Sequence, residues 1–120
     1  MGARVAAELA TSRLQGDSFL LGVMCLSYPL HRPKCFSELR VSHVIHLGLP
    51  VLFISGTKDA MCRMDLMENV IYQMGGDVKV HWIHEADHML NVNKHFDSDI
   101  LEEICQWALE WCQSVFAAER

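Results

Sequence analysis

The sequence lacks the features that mark nucleic-acid-binding and membrane-spanning proteins. Its 120 residues carry 10 Lys and Arg against 15 Asp and Glu, a formal net charge of −5, without any cluster of basic side chains. Binding a nucleic acid needs such a cluster, so we expect no nucleic-acid partner. The longest uninterrupted apolar run, Phe19 to Leu26, is far shorter than the roughly 20 residues that span a bilayer. We therefore expect no membrane partner either.

The five cysteines are an odd number, and no two of them form a C-x-x-C pair. This usage is typical of reduced intracellular proteins rather than of disulfide frameworks or zinc sites. We therefore expect a cytoplasmic or nuclear protein that holds no metal ion and no cofactor. Cys25 and Cys105 are predicted to be small buried apolar residues.

The apolar pattern predicts one α/β domain, or a piece of one. A helical pattern over residues 3–14 precedes an apolar run that ends at Pro29, and between Glu38 and His46 we expect at most a short helix. The run VLFISG and the alternating stretch VKVHWI predict two further strands. One helix is predicted between these two strands, and another after the second of them. The buried face of the first helix is predicted to consist of Leu66, Met67, Val70, Ile71 and Met74. That of the second is predicted to consist of Ile100, Leu101, Ile104, Trp107, Ala108, Trp111 and Val115. Strands that alternate with helices indicate a parallel sheet.

The five residues from His84 to His88 spell H-E-x-x-H, the pattern of zinc proteases. A zinc site of this kind needs both histidines on one helix, a single turn apart. Here the five residues directly follow a stretch with the period of a strand. The longer form of the pattern also fails, because Asn91 and Lys94 stand where it requires a glycine and a third ligand. We therefore expect no zinc site in this stretch.

A histidine and a carboxylate follow two predicted neighbouring strands. Asp59 comes just after VLFISG and His88 just after VKVHWI. In a parallel sheet both residues emerge at the carboxyl edge, where open α/β sheets place their chemistry. The carboxylate can there orient the imidazole as a general base, but a turn or cap residue and an ordinary loop histidine are open alternatives. His31 follows a strand in the same way and is either a rim residue of this site or a loop residue.

Four stretches of the chain, MGARVAAELA, CLSYPLHRPK, PVLFISGTKDAMC and VHWIHEADHML, resemble a known family. They are similar to the C-terminal half of the α/β-hydrolase-like family of testis-expressed protein 30, related to subunit 3 of the non-specific lethal acetyltransferase complex. The resemblance implies an α/β fold, the C-terminal part of an α/β-hydrolase fold, with about three parallel strands and flanking helices. It also implies that Asp59 and His88 are the acid and the histidine of a Ser-Asp-His triad.

The nucleophile of such a triad sits on a G-x-S-x-G turn, and the sequence contains no such stretch. Ser27 and Ser55 are both predicted to be ordinary strand-end serines, and Ser55 is expected to share the loop that carries Asp59. By the resemblance, Met1 and Gly2 match the last two positions of the family's turn. The nucleophile would then directly precede Met1, and the backbone N–H of Met1 would belong to the oxyanion hole.

Two interpretations of the function follow from this pattern. In the first, residues 1–120 are a partial domain without the N-terminal half, part of an intracellular serine hydrolase that acts on a small-molecule ester or thioester in its intact form. Such a fragment is inactive alone, and the exposed edge of its first strand would make it poorly soluble. In the second, the chain is a non-catalytic module of a complex subunit, and its partner is another protein.

Overall fold

The computed structural model describes residues 22–42, 44, 45 and 48–118. The described part contains three strands and two helices, in the order β1 (Val23–Leu26), β2 (Val51–Gly56), α1 (Met64–Met74), β3 (Val78–Ile83) and α2 (Ser98–Ala118). The strands pair in parallel in the order β1-β2-β3. The predicted fold class is therefore confirmed. The helix predicted over residues 3–14 lies outside the described residues, as does the start of the first predicted strand.

The central strand β2 is buried along its whole length, as its continuous apolar run predicts. Successive side chains of a strand point to opposite faces, so β2 contributes to two separate cores. Val51 and Phe53 pack with α1, and Leu52 and Ile54 pack with α2. Among the described residues, each face of the sheet is thus covered by one helix, and loops lie at the carboxyl edge of the sheet.

Helix α1 lies between β2 and β3, as predicted. It begins after Arg63 and ends at Gly75, which adopts the left-handed conformation (φ 67°) that favours glycine after a helix. Met67 and Val70 are buried against the sheet, and the other apolar residues predicted on this face are partly buried beside them.

Helix α2 confirms most of its predicted buried stripe and corrects two residues of it. Ile100, Ile104 and Trp111 are buried, but Leu101 is 50% exposed and Trp107 is 39% exposed. Cys105 is exposed as well, whereas Cys25 is buried as predicted. Each residue is turned by about 100° from its neighbour along a helix, so Leu101 and Cys105 fall just outside the stripe. Neither helix of the described part has the combination of length and apolarity that crossing a membrane requires.

The connection from β1 to β2 has little regular structure, as its polar and irregular sequence predicts. Within it, the N–H groups of Val44 and Ile45 both donate to the carbonyl oxygen of Val41, at 3.0 Å. This is a single turn among the described residues of the stretch where a short helix was the most that we expected. The Tyr28 hydroxyl donates to the Arg40 carbonyl oxygen at 2.5 Å and holds the connection against the sheet.

Candidate active site

Asp59 lies three residues beyond the end of β2, at the carboxyl edge of the sheet, as predicted. Its N–H donates to the carbonyl oxygen of Gly56 at 3.2 Å, which closes a tight turn. Its side chain is fully buried, and both carboxylate oxygens accept hydrogen bonds. Oδ1 accepts the Met61 N–H at 2.7 Å, and Oδ2 lies 2.9 Å from Nδ1 of His88. The turn therefore holds the carboxylate in one orientation.

His88 meets this carboxylate through one ring nitrogen and leaves the other free. A carboxylate can only accept hydrogen bonds, so the hydrogen between the two side chains belongs to Nδ1 of the imidazole. Nε2 has no hydrogen-bond partner within the described residues, and 28% of the His88 side chain is exposed. In the neutral ring, Nε2 then carries an available lone pair. This is the arrangement of a general base.

Asp87 shapes the loop that carries His88. Its Oδ1 accepts the N–H groups of Met89 at 2.9 Å and of Asn91 at 3.0 Å. Its own N–H donates to the carbonyl oxygen of Asn91 at 3.0 Å. Sequence reasoning missed this role, although an Asp that bonds to the backbone two residues further on is a known turn-forming pattern.

Main-chain hydrogen bonds join the loop after β2 that carries Asp59 (the acid loop) to the loop after β3 that carries His88 (the histidine loop). The N–H of Thr57 donates to Ile83 at 3.1 Å, and the N–H of Lys58 donates to Ala86 at 2.9 Å. The Thr57 hydroxyl accepts the N–H of Glu85 at 2.8 Å, and Lys58 forms an ion pair with Glu85. The two loops therefore form one bonded unit.

The two loops can lie this close together only because Gly56, the last residue of β2, has no side chain. A Cβ atom at this position would lie 2.1 Å from the carbonyl oxygen of Ala86 and 2.5 Å from its carbonyl carbon. No side chain fits there without moving the histidine loop. The sequence indicates only that a glycine ends the strand, and the contact itself depends on the tertiary structure.

His31 also lies at the carboxyl edge, but both of its ring nitrogens are occupied. Nδ1 lies 2.8 Å from the carbonyl oxygen of Arg32, and Nε2 accepts the N–H of Arg63 at 3.0 Å. The side chain is completely buried. His31 therefore ties the loop after β1 to the start of α1 and has no nitrogen free for proton transfer.

Ser27 and Ser55, the two serines named in the sequence analysis, lie in different kinds of backbone structure. Ser27 follows β1 as predicted and has a positive φ of 54°. The prediction that Ser55 shares the loop of Asp59 is wrong, because Ser55 is a buried residue of β2 paired with Trp82. Neither serine makes a hydrogen bond with His88 among the described contacts. Met1 lies outside the described residues.

Cys62 lies beneath the acid loop and was not singled out from the sequence. Burial, together with the nearby negative charge of Asp59, raises the pKa of its thiol to about 12, despite the opposing effect of the Ser55 hydroxyl. Burial alone raises the pKa of the Cys25 thiol to about 12 as well. Both side chains therefore stay neutral thiols and act as packing residues rather than nucleophiles.

The H-E-x-x-H stretch does not form the helix that a zinc site requires. It makes a series of turns after β3. His84 is exposed and its Nε2 lies 3.5 Å from Oε1 of Glu85, which also pairs with Lys58, whereas His88 pairs with Asp59. The two histidines therefore do not converge on one site. The hydrogen bond and charge of Lys58 lower the pKa of the Glu85 carboxyl. Within the described ranges, no group of three His, Cys, Asp or Glu side chains is arranged to hold a metal ion.

Comparison with known proteins connects this geometry to a family. Residues 1–116 match the family model described as an alpha/beta hydrolase domain. A solved structure of an alpha-beta serine hydrolase homologue from Coxiella burnetii is 18% identical, with a TM-score of 0.54 over 72% of this chain and 36% of that one. The structure of esterase PE8 is also 18% identical, with a TM-score of 0.43 over 84% and 45% of the two chains. The chain thus spans less than half the length of either solved structure.

Proposed function

Because this chain belongs to the alpha/beta hydrolase domain family, we propose that Asp59 and His88 are the acid and the histidine of a serine-hydrolase triad. The supporting observation is the 2.9 Å contact between a buried carboxylate and Nδ1 of an imidazole whose other nitrogen is free. The proposed reaction is the hydrolysis of an ester or thioester of a small acyl substrate.

Each group has a defined task in this reaction. His88 Nε2 takes the proton from a serine hydroxyl while the serine oxygen attacks the substrate carbonyl carbon. The imidazolium that forms is stabilised by Asp59, which also keeps the Nδ1–H tautomer in place. His88 then returns the proton to the departing alcohol or thiol, and a water molecule repeats the sequence to release the acid and free the serine.

The nucleophile in this proposal is not a serine of residues 1–120, because none of them lies in a G-x-S-x-G turn. Following the resemblance, we propose that the nucleophilic serine directly precedes Met1 and that the Met1 N–H contributes to the oxyanion hole. In this proposal residues 1–120 supply the acid and the histidine of the triad and have no hydrolase activity alone.

A fluorophosphonate probe tests this proposal, because it forms a covalent adduct only with an activated serine. We expect no adduct on the purified chain under conditions in which an active serine hydrolase is fully labelled. The sharpest comparison is with the His88→Ala variant. Labelling of the native chain at any serine, Ser27 included, that disappears in His88→Ala would mean that the chain supplies its own nucleophile, and would overturn this part of the proposal.

A second candidate function, that of a protein-interaction module, is favoured by the outer face of α2. Leu101, Leu109 and Phe116 are half or more exposed, at 50%, 59% and 58%. They lie within an arc of about 80° on the helix, given about 100° per residue. The helix carries four acidic residues and no basic one. Its apolar, acid-flanked face therefore suits a partner segment with apolar and basic residues.

This second function is tested by titrating the chain with a helical peptide of Leu and Lys in an amphipathic pattern. Replacing Leu109 by Lys is expected to weaken binding at least about tenfold, because a positive charge then stands in the centre of the apolar row and repels the basic peptide. The matched control is Tyr72→Lys, since Tyr72 is 85% exposed on α1. Equal losses in the two variants would count against α2 as the docking face.

A further inference from the structure

A cavity of about 580 Å³ lies beside Asp59, between the loop after β1 and the start of α1. Its volume is in the range of about 300–1,000 Å³ that is usual for small-molecule sites. Its walls are largely apolar, formed by Pro33, Phe36, Ala60 and Met64. The roles proposed for Asp59 and His88 make no use of this space.

Cationic side chains are concentrated at this cavity, although the chain as a whole is acidic. Lys34, Lys58 and Arg63 all line it. Lys58 pairs with Glu85, and Nε of Arg63 lies 2.8 Å from Oδ1 of Asp65. Lys34 has no ion pair in the described part of the chain. Its positive charge is therefore unneutralised beside an apolar space.

The two carboxylates at the cavity already have hydrogen-bond or ion-pair partners. Asp65 pairs with Arg63, and both oxygens of Asp59 accept hydrogen bonds from Met61 and His88. His31 is held by two hydrogen bonds and contributes a fixed wall. The lining thus carries three cationic side chains, Lys34, Lys58 and Arg63, against the two carboxylates of Asp59 and Asp65, and this balance favours an anion over a cation.

Arg63 is held in place at the cavity wall. Its guanidinium carbon lies 5.1 Å from the centre of the Phe36 ring, which stands edge-on to His31 at 5.0 Å. Only Nε of Arg63 contacts Asp65, so the terminal nitrogens remain for a ligand.

From these contacts we propose that the cavity binds a carboxylate attached to an apolar chain. The apolar chain of the ligand packs against Phe36 and Met64, and its carboxylate is bound by Lys34 and Arg63. Joined to the function proposed above, on which this step rests, the preferred substrate is an ester or thioester that carries a free carboxylate at its far end. The cavity then selects the substrate by charge, and the Asp59–His88 pair acts next to it.

Methionine methyl groups report binding directly. The chain, labelled with ¹³C at the methionine methyl groups, is titrated with octanoate and with octanamide, its neutral counterpart. We expect a saturable shift of the Met64 signal and at least tenfold tighter binding of octanoate. Met89, which is 73% exposed and does not line the cavity, is expected to stay unshifted.

Two lysine variants provide a matched pair. Lys34 and Lys94 are both exposed and have left-handed backbones, with φ of 62° and 66°, so replacement by Gln has a similar conformational cost at each. Lys34→Gln is expected to remove most of the preference for octanoate, and Lys94→Gln to retain it. Equal affinities for the two ligands, a preference that survives Lys34→Gln, or an unmoved Met64 signal would each overturn the proposal.

The outcome is independent of the proposed hydrolase activity. Binding is measured on residues 1–120, which need no nucleophile for it. A failed titration leaves the roles of Asp59 and His88 untouched, and a failure of those roles leaves a carboxylate-binding cavity.

Discussion

Replacing Gly56 by alanine is expected to destabilise the protein by about 3 kcal/mol, at the upper end of the usual cost of overpacking. The added methyl group would lie 2.1 Å from the carbonyl oxygen of Ala86. That oxygen cannot simply move away, because it accepts the N–H of Lys58 and belongs to the loop that carries His88. The new side chain therefore pushes the histidine loop away from the acid loop.

Urea unfolding measures this loss, and the shift of the Nδ1 proton of His88 reports the separation from Asp59. Gly76→Ala is the matched control, because a Cβ there meets no atom within 4 Å and requires no positive φ. We expect that variant to differ from the parent by less than about 1 kcal/mol. Equal stability of the two variants would show that the loops are not in contact at Gly56.

Replacing Asp59 by asparagine is expected to reverse the tautomer of His88 and to reduce kcat about 10⁴-fold in a form that carries the nucleophile. The two oxygens of Asp59 accept from two donors, the Met61 N–H and His88 Nδ1–H. Asparagine has only one oxygen, so its NH₂ group must face one of these donors. The backbone donor is fixed, and His88 therefore moves its proton to Nε2. An Nε2–H cannot accept the proton of a serine.

The tautomer can be read on the 120-residue chain itself from long-range ¹H–¹⁵N spectra of the imidazole. In the native chain we expect Nε2 to be the nitrogen without a proton, and in Asp59→Asn we expect it to be protonated. Asp77→Asn is the control, because Asp77 is exposed and its side chain makes no hydrogen bond in the described structure. An unchanged tautomer in Asp59→Asn would mean that Asp59 does not orient His88.

The sequence was sufficient to predict the sheet and the two residues that meet at its edge. An unbroken apolar run marked β2, and alternation marked β3. Because parallel strands end at one edge, Asp59 and His88 were expected to be neighbours, and they lie 2.9 Å apart. That Asp59 and His88 are catalytic remains a proposal.

Contacts between segments that are remote in the sequence could not be predicted from the pattern of apolar and polar residues. The close approach at Gly56, the two hydrogen bonds of His31 and the cavity beside Asp59 join segments remote in sequence. The errors at Leu101, Trp107 and Cys105 have a different origin. Apolar character extends beyond the strip of α2 that touches the sheet, and periodicity alone did not separate the inner face from the outer one.

The bonds between the acid loop and the histidine loop have a consequence for how this part of the protein can change over evolutionary time. Two of them join main-chain atoms, from Thr57 to Ile83 and from Lys58 to Ala86. Any amino acid except proline can supply such an N–H, and every amino acid supplies the carbonyl. The identities of Lys58 and Ile83 can therefore drift without loss of these bonds, while Gly56 cannot. Two proteins descended from one ancestor can therefore hold an acid and a histidine at the same separation and still have few identical residues in these loops.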